Sequence, residues 1–316
     1  MSGSLAVVMP VYNGASFLAE ALDSILAQQH DAFDLIVVDD GSTDATPDIL
    51  ADYARRDGRV RPITQAQSGV AAAINRGLAE TDSEFVARMD ADDIASPERL
   101  ATQLDFLATH PDVQVVGTDI RLVDQQGRRI RVRRYPSGDA EIRSRLLFKN
   151  PLCHPTVMFR RTCVTAAGGY DECYRSAQDL DLWLRLSPDV TFANIPQPLL
   201  DYRTHVAQIT GRANRGASYA FSVLAALNHL FAAHGMARLQ PPEPAPAALT
   251  EQIVVLFDRI TDPLERNALF YQTARVLRRY PADTVRPAAR TATRYALREG
   301  RMGYLARRGW YAFSRR

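Results

Sequence analysis

The first 125 residues switch repeatedly between two hydrophobic periods, and this alternation restricts the fold more than any other feature of the chain. "LAVVMPV" (5–11), "FDLIVVDD" (33–40), "VRPIT" (60–64), "EFVARMD" (84–90) and "VQVVGTD" (113–119) read as strands. Three of them are almost continuously apolar, as strands buried on both faces must be. The segments between them, "ASFLAEALDSILAQQ", "TPDILADYARR", "GVAAAINRGLAE" and "SPERLATQLDFLATH", carry the helical period. Two open on a capping residue followed by proline, Thr46-Pro47 and Ser96-Pro97, a pattern favoured at helix starts. Strand–helix alternation at this spacing predicts a doubly wound, mostly parallel α/β sheet flanked by helices.

After residue 125 the pattern changes. "GRRIRVRRYP" alternates arginine with Ile130 and Val132 and predicts a strand with one charged face, and "DAEIRSRLLFKN", "TVMFR" and "QDLDLWLRL" predict helix, strand and helix. Pro196 and Pro198 in "FANIPQPLLDYR" favour an edge strand or a loop. "LQPPEPAPAAL" (239–249) reads as a semi-rigid spacer, and the chain beyond it as helical. Residues 1–125 therefore form one α/β half, 126–210 a second half of the same domain, and 211–316 a helical C-terminal extension. Twelve arginines fall between Arg275 and Arg316 against Asp283 and Glu299 alone. Cys153, Cys163 and Cys173 form no CxxC pair, so free thiols in a reducing compartment are the plain expectation. With no signal-peptide pattern and no long apolar run, the expected location is cytoplasmic.

Ligands of open α/β sheets sit beyond the carboxyl ends of the strands. Three strands here end in polar groups: "PVYN", "DDGSTD" and "DADD". Asp90, Asp92 and Asp93 fall directly after a buried strand, where like charges repel. A hard divalent cation, Mn²⁺ or Mg²⁺, would explain them, because carboxylate oxygens suit such ions. The alternative is an acidic loop before a helix, with Asp93 at the positive helix end. The chain has no GxxxxGK[ST] loop, no GxGxxG after the first strand, no HExxH and no GxSxG, which removes the common nucleotide-loop, dinucleotide, zinc-protease and hydrolase readings.

"MPVYNG", "IVVDDGSTD", "ARMDADDIASPERL" and "AQDLDLWLR" stand in the order and spacing of family 2 glycosyltransferases, and the resemblance covers about residues 5–210. It implies a GT-A fold and inverting transfer from a nucleoside-diphosphate sugar, with a UDP-sugar favoured. It also implies a carbohydrate or lipid-linked saccharide as acceptor. In this likeness Pro10, Tyr12 and Asp40 resemble the nucleoside pocket and Arg76 a residue near the donor phosphates. Asp90 and Asp92 match the metal- and donor-binding DxD pair. Arg203 would neutralise the leaving diphosphate, and His205 would reach the metal from a late loop. Asp179 aligns with the general base, although Gln178 replaces the usual preceding glutamate. Ser176-Ala-Gln-Asp179 also fits a capping box, and Asp181 is a surface alternative. Trp183 reads as a core residue, with a platform for a sugar ring as the alternative, and His154 as a structural histidine, with a place near the acceptor as the alternative.

Arginines mixed with Tyr295, Tyr304, Trp310 and Phe313 fit an interfacial helix pair on an anionic membrane, on the inner face of the cell membrane. A helical pair packed on the catalytic domain is the alternative. Nucleic-acid binding is not expected. Two rival functions share the fold: a sugar nucleotidyltransferase, and a nucleotide-sugar-binding protein without turnover.

Overall fold

A computed structural model describes residues 4–205, 215–240, 246–279 and 282–298. The order is β1 (Leu5–Val11), α1 (Leu18–Leu26), β2 (Phe33–Asp39), α2 (Thr46–Arg56), β3 (Val60–Thr64), α3 (Val70–Ala79) and β4 (Phe85–Arg88). It continues with β5 (Ile94–Ala95), α4 (Arg99–Thr109), β6 (Val113–Val123), β7 (Arg129–Arg133), α5 (Asp139–Leu146), β8 (Met158–Arg160), α6 (Arg161–Ala166), α7 (Gln178–Leu186) and β9 (Thr191–Arg203). Four further helices follow: α8 (Arg215–Ala233), α9 (Pro246–Arg259), α10 (Pro263–Arg279) and α11 (Ala282–Arg298).

The strands form one sheet in the order β3-β2-β1-β4-β8-β6-β9-β5, with β7 added to β6. The expected α/β architecture is present. Strands β1 to β4 are mutually parallel, and β8 enters antiparallel between β4 and β6. Two antiparallel steps restore direction, so β6 and β9 again run with β4. The carboxyl ends of β1, β2, β4, β6 and β9 consequently share one edge. All seven residues of β1 are buried, which is why its sequence carries no alternation.

The strand holding the two prolines departs from expectation. β9 runs for 13 residues and lies inside the sheet, between β6 and β5. The register with β6 slips between Thr118 and Asp119: Ile195 faces Thr118 and Pro198 faces Asp119. Pro196 and Gln197 are exposed at that slip, so the missing proline N–H falls where the ladder is already broken. The two proline-associated caps are also put to other uses. Thr46 accepts the Gly14 N–H through Oγ1, and the Ser96 hydroxyl oxygen accepts from Arg121 Nη2.

One hydrophobic cluster runs from Val8 and Phe159 through Trp183 to Leu227, Phe257 and Leu269. The C-terminal helices therefore share a core with the sheet. Within the 239–249 spacer, Pro246–Leu249 begin α9 and Leu249 is buried; the aromatic and basic run after Arg298 lies outside the described residues. Trp183 is fully buried, edge-on to His154 and Phe192. It is a core residue and offers no platform to a sugar. Trp183→Ala is expected to cost about 3–5 kcal/mol, read from the midpoint shift in chemical denaturation.

Candidate active site: the carboxylate rim

At the shared edge, the loops after β1 and β2 are stitched together. Asn13 adopts a left-handed conformation, φ 49. Its N–H donates to Ser42 Oγ, its Oδ1 accepts from Thr43 N, and Ala15 N donates to Asp44. Gly14 is required by space: a Cβ there would lie 2.5 Å from Val11 Cγ2. Tyr12 stands exposed at the mouth of these loops, 46 % accessible. Pro10 is buried within β1, opposite Val38, so it shapes the strand end and presents no surface to a ligand.

Asp40 departs from the nucleoside role expected of it. Its Oδ1 accepts from Gln65 Nε2 and Ser68 N, and its Oδ2 from Gly69 N, each at 2.8 Å. This carboxylate ties the loop before α3 to the end of β2. Its neighbour Asp39 also lies at the strand end, where only Oδ1 takes a protein donor, the Ser42 N–H. Arg76 is displaced as well. It sits in the last turn of α3, paired with Glu80 at 2.7 Å and half exposed, at the helix end remote from the strand ends.

After β4 the three carboxylates converge, with ligand oxygens of Asp90, Asp92 and Asp93 all within 4.8 Å of one another. Asp93 is fully buried, and its Oδ1 accepts the Arg203 N–H at 2.9 Å. It therefore faces β9 and not the helix end considered for it. Its Oδ2 has no hydrogen-bond partner. Burial, with Asp92 and Asp90 adding to it, holds the Asp93 carboxyl well above its ordinary range. Burial and Asp90 raise Asp92 too, while His205 pulls it back. An all-oxygen donor set with an orphaned buried oxygen suits a hard divalent cation. His205 Nε2 lies 2.8 Å from Asp92 Oδ2, with its ring 4.9 Å from that of Phe17. The structure thus brings this distant histidine to the carboxylates, as expected.

Two buried arginines under the rim were not singled out in the sequence. Arg88 is 3 % exposed, and its Nη1 lies 2.5 Å from Asp90 Oδ1. Its charge also lowers the carboxyl pKa of Asp179 and the imidazole pKa of His154. Arg99 donates to the Arg88 carbonyl at 2.6 Å and to Gln103, and burial lowers its pKa to about 10. A buried arginine directly after an apolar run, "FVAR", was the available signal. Arg203 is likewise committed to the protein. It donates to the Asp92 and Gln125 carbonyls, pairs with Glu20 and lies over Phe17. It braces the loops, and the expected contact with a leaving diphosphate would cost it these bonds.

Asp179 opens α7 after Ala177, whose φ of 59 is left-handed. Its Oδ2 accepts from Asn150 Nδ2 at 2.6 Å and its Oδ1 from Leu180 N at 2.8 Å. The helix is capped at Ala177 without a side-chain bond, so the capping box is not the use of this residue. Burial, the largest influence, raises its pKa; the Leu180 N–H, Arg88 and Asn150 oppose the rise. Asp181 is buried, not on the surface, and pairs with Arg185 and Arg238. His154 is a core histidine, 2.9 Å from the Tyr170 hydroxyl, and burial depresses its pKa strongly.

Residues 6–165 match the model of glycosyl transferase family 2. The chain belongs to that family. Among relatives of this glycosyltransferase, the O-antigen biosynthesis glycosyltransferase WbnJ of Escherichia coli is 33% identical over 205 residues, covering 64% of this chain and 80% of WbnJ. The amylovoran biosynthesis glycosyltransferase AmsE of Erwinia amylovora is 31% identical over 221 residues, covering 68% and 80%. Among solved structures, S. aureus TarS 1-349 in complex with UDP-GlcNAc superposes with TM-score 0.61 at 17% identity, covering 94% of this chain and 92% of that one. The mannosyltransferase PcManGT from Pyrobaculum calidifontis, in complex with GDP-Man and Mn²⁺, gives 0.54 at 19%, covering 99% and 86%. These likenesses establish the GT-A fold of this glycosyltransferase.

Removing one partner of a buried ion pair leaves the other charge stranded, at a cost of about 3–5 kcal/mol. Arg88→Met is expected to lose stability of that order. Added Mn²⁺, taking over the neutralisation of Asp90, should raise the melting temperature of the variant more than that of the parent, which thermal unfolding with and without the ion would show.

Proposed function

We propose that this glycosyltransferase transfers a sugar from a nucleoside-diphosphate sugar to an acceptor hydroxyl with inversion, using Asp179 as general base. The observation that carries this reading is a carboxylate cluster together with a separate buried carboxylate, both under the influence of Arg88. Asp90, Asp92 and Asp93 form a cluster that suits a divalent ion, and Asp179 stands apart with a raised pKa and a positioning bond from Asn150.

Asp92 and Asp90, with His205 beside Asp92, are the residues that would hold Mn²⁺ or Mg²⁺. Such an ion, when bound, supplies Lewis-acid stabilisation of a departing diphosphate. Tyr12 offers its ring to the nucleoside base, and Asp39 and Asp40 close the adjoining end of β2. Asp179 accepts the proton of the acceptor hydroxyl as that oxygen bonds to the anomeric carbon. The bond from that carbon to the diphosphate breaks on the opposite face, and the nucleoside diphosphate leaves with the electron pair. Burial makes Asp179 a better base than a solvated carboxylate.

UDP-GlcNAc in TarS and GDP-Man in PcManGT support a nucleotide-sugar donor, and a UDP-sugar is the favoured one. The names of WbnJ and AmsE support a saccharide or lipid-linked saccharide acceptor in surface or exported polysaccharide assembly. The reading has the enzyme act in the cytoplasm, on the inner face of the membrane. No described helix is long and apolar enough to cross a membrane. A proposed division at about residue 125 separates donor from acceptor and base functions, with the helices after 210 as an extension.

Calorimetric titration of nucleoside diphosphates and nucleotide-sugars, with Mn²⁺ and with EDTA, tests the donor site. Metal-dependent binding of one nucleotide class, lost in Asp92→Ala, is expected; binding indifferent to both would overturn the reading. Release of pyrophosphate in place of nucleoside diphosphate would mean activation, not transfer. Asp179→Asn should keep donor affinity and lose about 10²–10⁴-fold in kcat, the usual worth of a positioned base.

The pH profile gives a separate check. A raised carboxyl pKa means the active base form is lost at higher pH as the solution is acidified. The acidic limb of kcat should therefore lie above the ordinary aspartate value of 3.8. Asn150→Ala removes a contact that lowers this pKa and should move the limb further up.

A further inference from the structure

Beyond the carboxylate rim, β7 is the most unusual surface of the molecule. Residues 125–134, "QQGRRIRVRR", are exposed without exception, and the run holds five arginines and no acid. Arg128 is paired with Asp124 at 2.7 Å, and Arg133 lies over the Tyr135 ring. Arg129, Arg131 and Arg134 make no side-chain ion pair or hydrogen bond among the described residues. Between them stand Ile130, 57 % exposed, and Val132, 42 % exposed, two of the five large hydrophobic residues exposed on the described surface. β7 pairs with β6 alone, so its second edge also presents backbone donors. The hairpin turn is bound to the site through Arg203, which donates to the carbonyls of both Gln125 and Asp92.

We propose that the β6–β7 hairpin docks the enzyme on an anionic lipid bilayer. Arginines near a negatively charged leaflet are attracted individually, and their long stems let the charge stay at the headgroups while apolar neighbours enter the boundary. The β6–β7 pairing is irregular at Ile130, where the register shifts between Leu122 and Val123, so the apolar pair stands among the arginines. Ile130 and Val132 would enter the acyl boundary while the arginine stems reach back to the phosphate layer. A second copy of the chain is a poor occupant of the free edge. Antiparallel pairing of two such strands would set arginine against arginine, and like charges directly opposite destabilise a ladder. A nucleic acid would use the cations and leave the apolar pair in water. The inference goes beyond the transfer reaction and holds whether or not Asp179 is the base.

The test is co-sedimentation of the full chain with phosphatidylcholine vesicles, with and without phosphatidylglycerol, alongside hydrogen exchange of the 125–134 amides. The parent should pellet with the anionic vesicles only, lose binding as salt rises, and show slowed exchange in the hairpin. The triple variant Arg129→Glu, Arg131→Glu, Arg133→Glu should lose on the order of a hundredfold in partitioning, at about fivefold per basic residue. Ile130→Ser with Val132→Ser should weaken it without altering the charge. Both variants should keep the parent's nucleotide affinity, which shows that the site is folded. Pelleting of the triple variant at the parent level, or unchanged hairpin exchange in vesicles, would overturn the proposal. So would hairpin protection by duplex DNA but not by vesicles, or protection that grows with protein concentration alone.

Discussion

Three carboxylates can stand within 4.8 Å of one another at the end of a buried strand only because cations are built in behind them. Arg88 meets Asp90 directly, and Arg99 fixes the carbonyl of Arg88 from beneath. A buried charge must be paired to be tolerated. Here the pairing leaves part of the demand unmet, since Asp93 keeps one oxygen without a donor. The strand end is thereby poised for a ligand of positive charge, and the loops around it are arranged to hold that state. Arg203 reaches in from β9 to secure the Asp92 carbonyl, and its backbone N–H serves Asp93. His205, two residues further, lies against Asp92 and the Phe17 ring.

The same arrangement keeps Asp179 apart from the cluster. Asp179 belongs to a helix whose other face is locked into the core by Trp183 and by the buried Asp181 pair. Its carboxylate is held by Asn150 from the segment before β8, so its position depends on the second half of the sheet. The first half supplies the joined loops after β1 and β2 and the carboxylate cluster. The two halves meet electrostatically at Arg88, which pairs with Asp90 and favours the charged form of Asp179.

Much of this was legible in the residues, and the failures have physical causes. The buried strands, the sheet edge and α7 follow from periodicity, which is set by burial on one or both faces. The DxD pair, Asp179 and His205 follow from motif order. Asp40 was misassigned because adjacent aspartates in "DDGS" look alike until the backbone shows which one faces the loop before α3. Arg76 and Arg203 were placed near the phosphates by resemblance and charge, whereas their partners Glu80 and Glu20 become neighbours only through helix geometry and folding. Arg88 escaped notice although it ends the apolar run "FVAR", because the sequence does not show that its side chain turns inward to Asp90. The prolines of β9 read as breakers, and the register slip that accommodates them belongs to the partner strand as much as to their own.

That slip has its own effect on β9. Before it, Thr191–Ile195 are measured against Val113–Thr118; after it, Pro198–Arg203 are measured against Asp119–Val123. The pairing shifts register at three places in all, between Val113 and Val115, Thr118 and Asp119, and Asp119 and Arg121, and the exposed Pro196 and Gln197 lie as slack at the middle one. Repacking of the inner segment against Trp183 would be absorbed at the slip before reaching Arg203. The core and the carboxylate rim can therefore change at different rates over evolutionary time while remaining on a single strand.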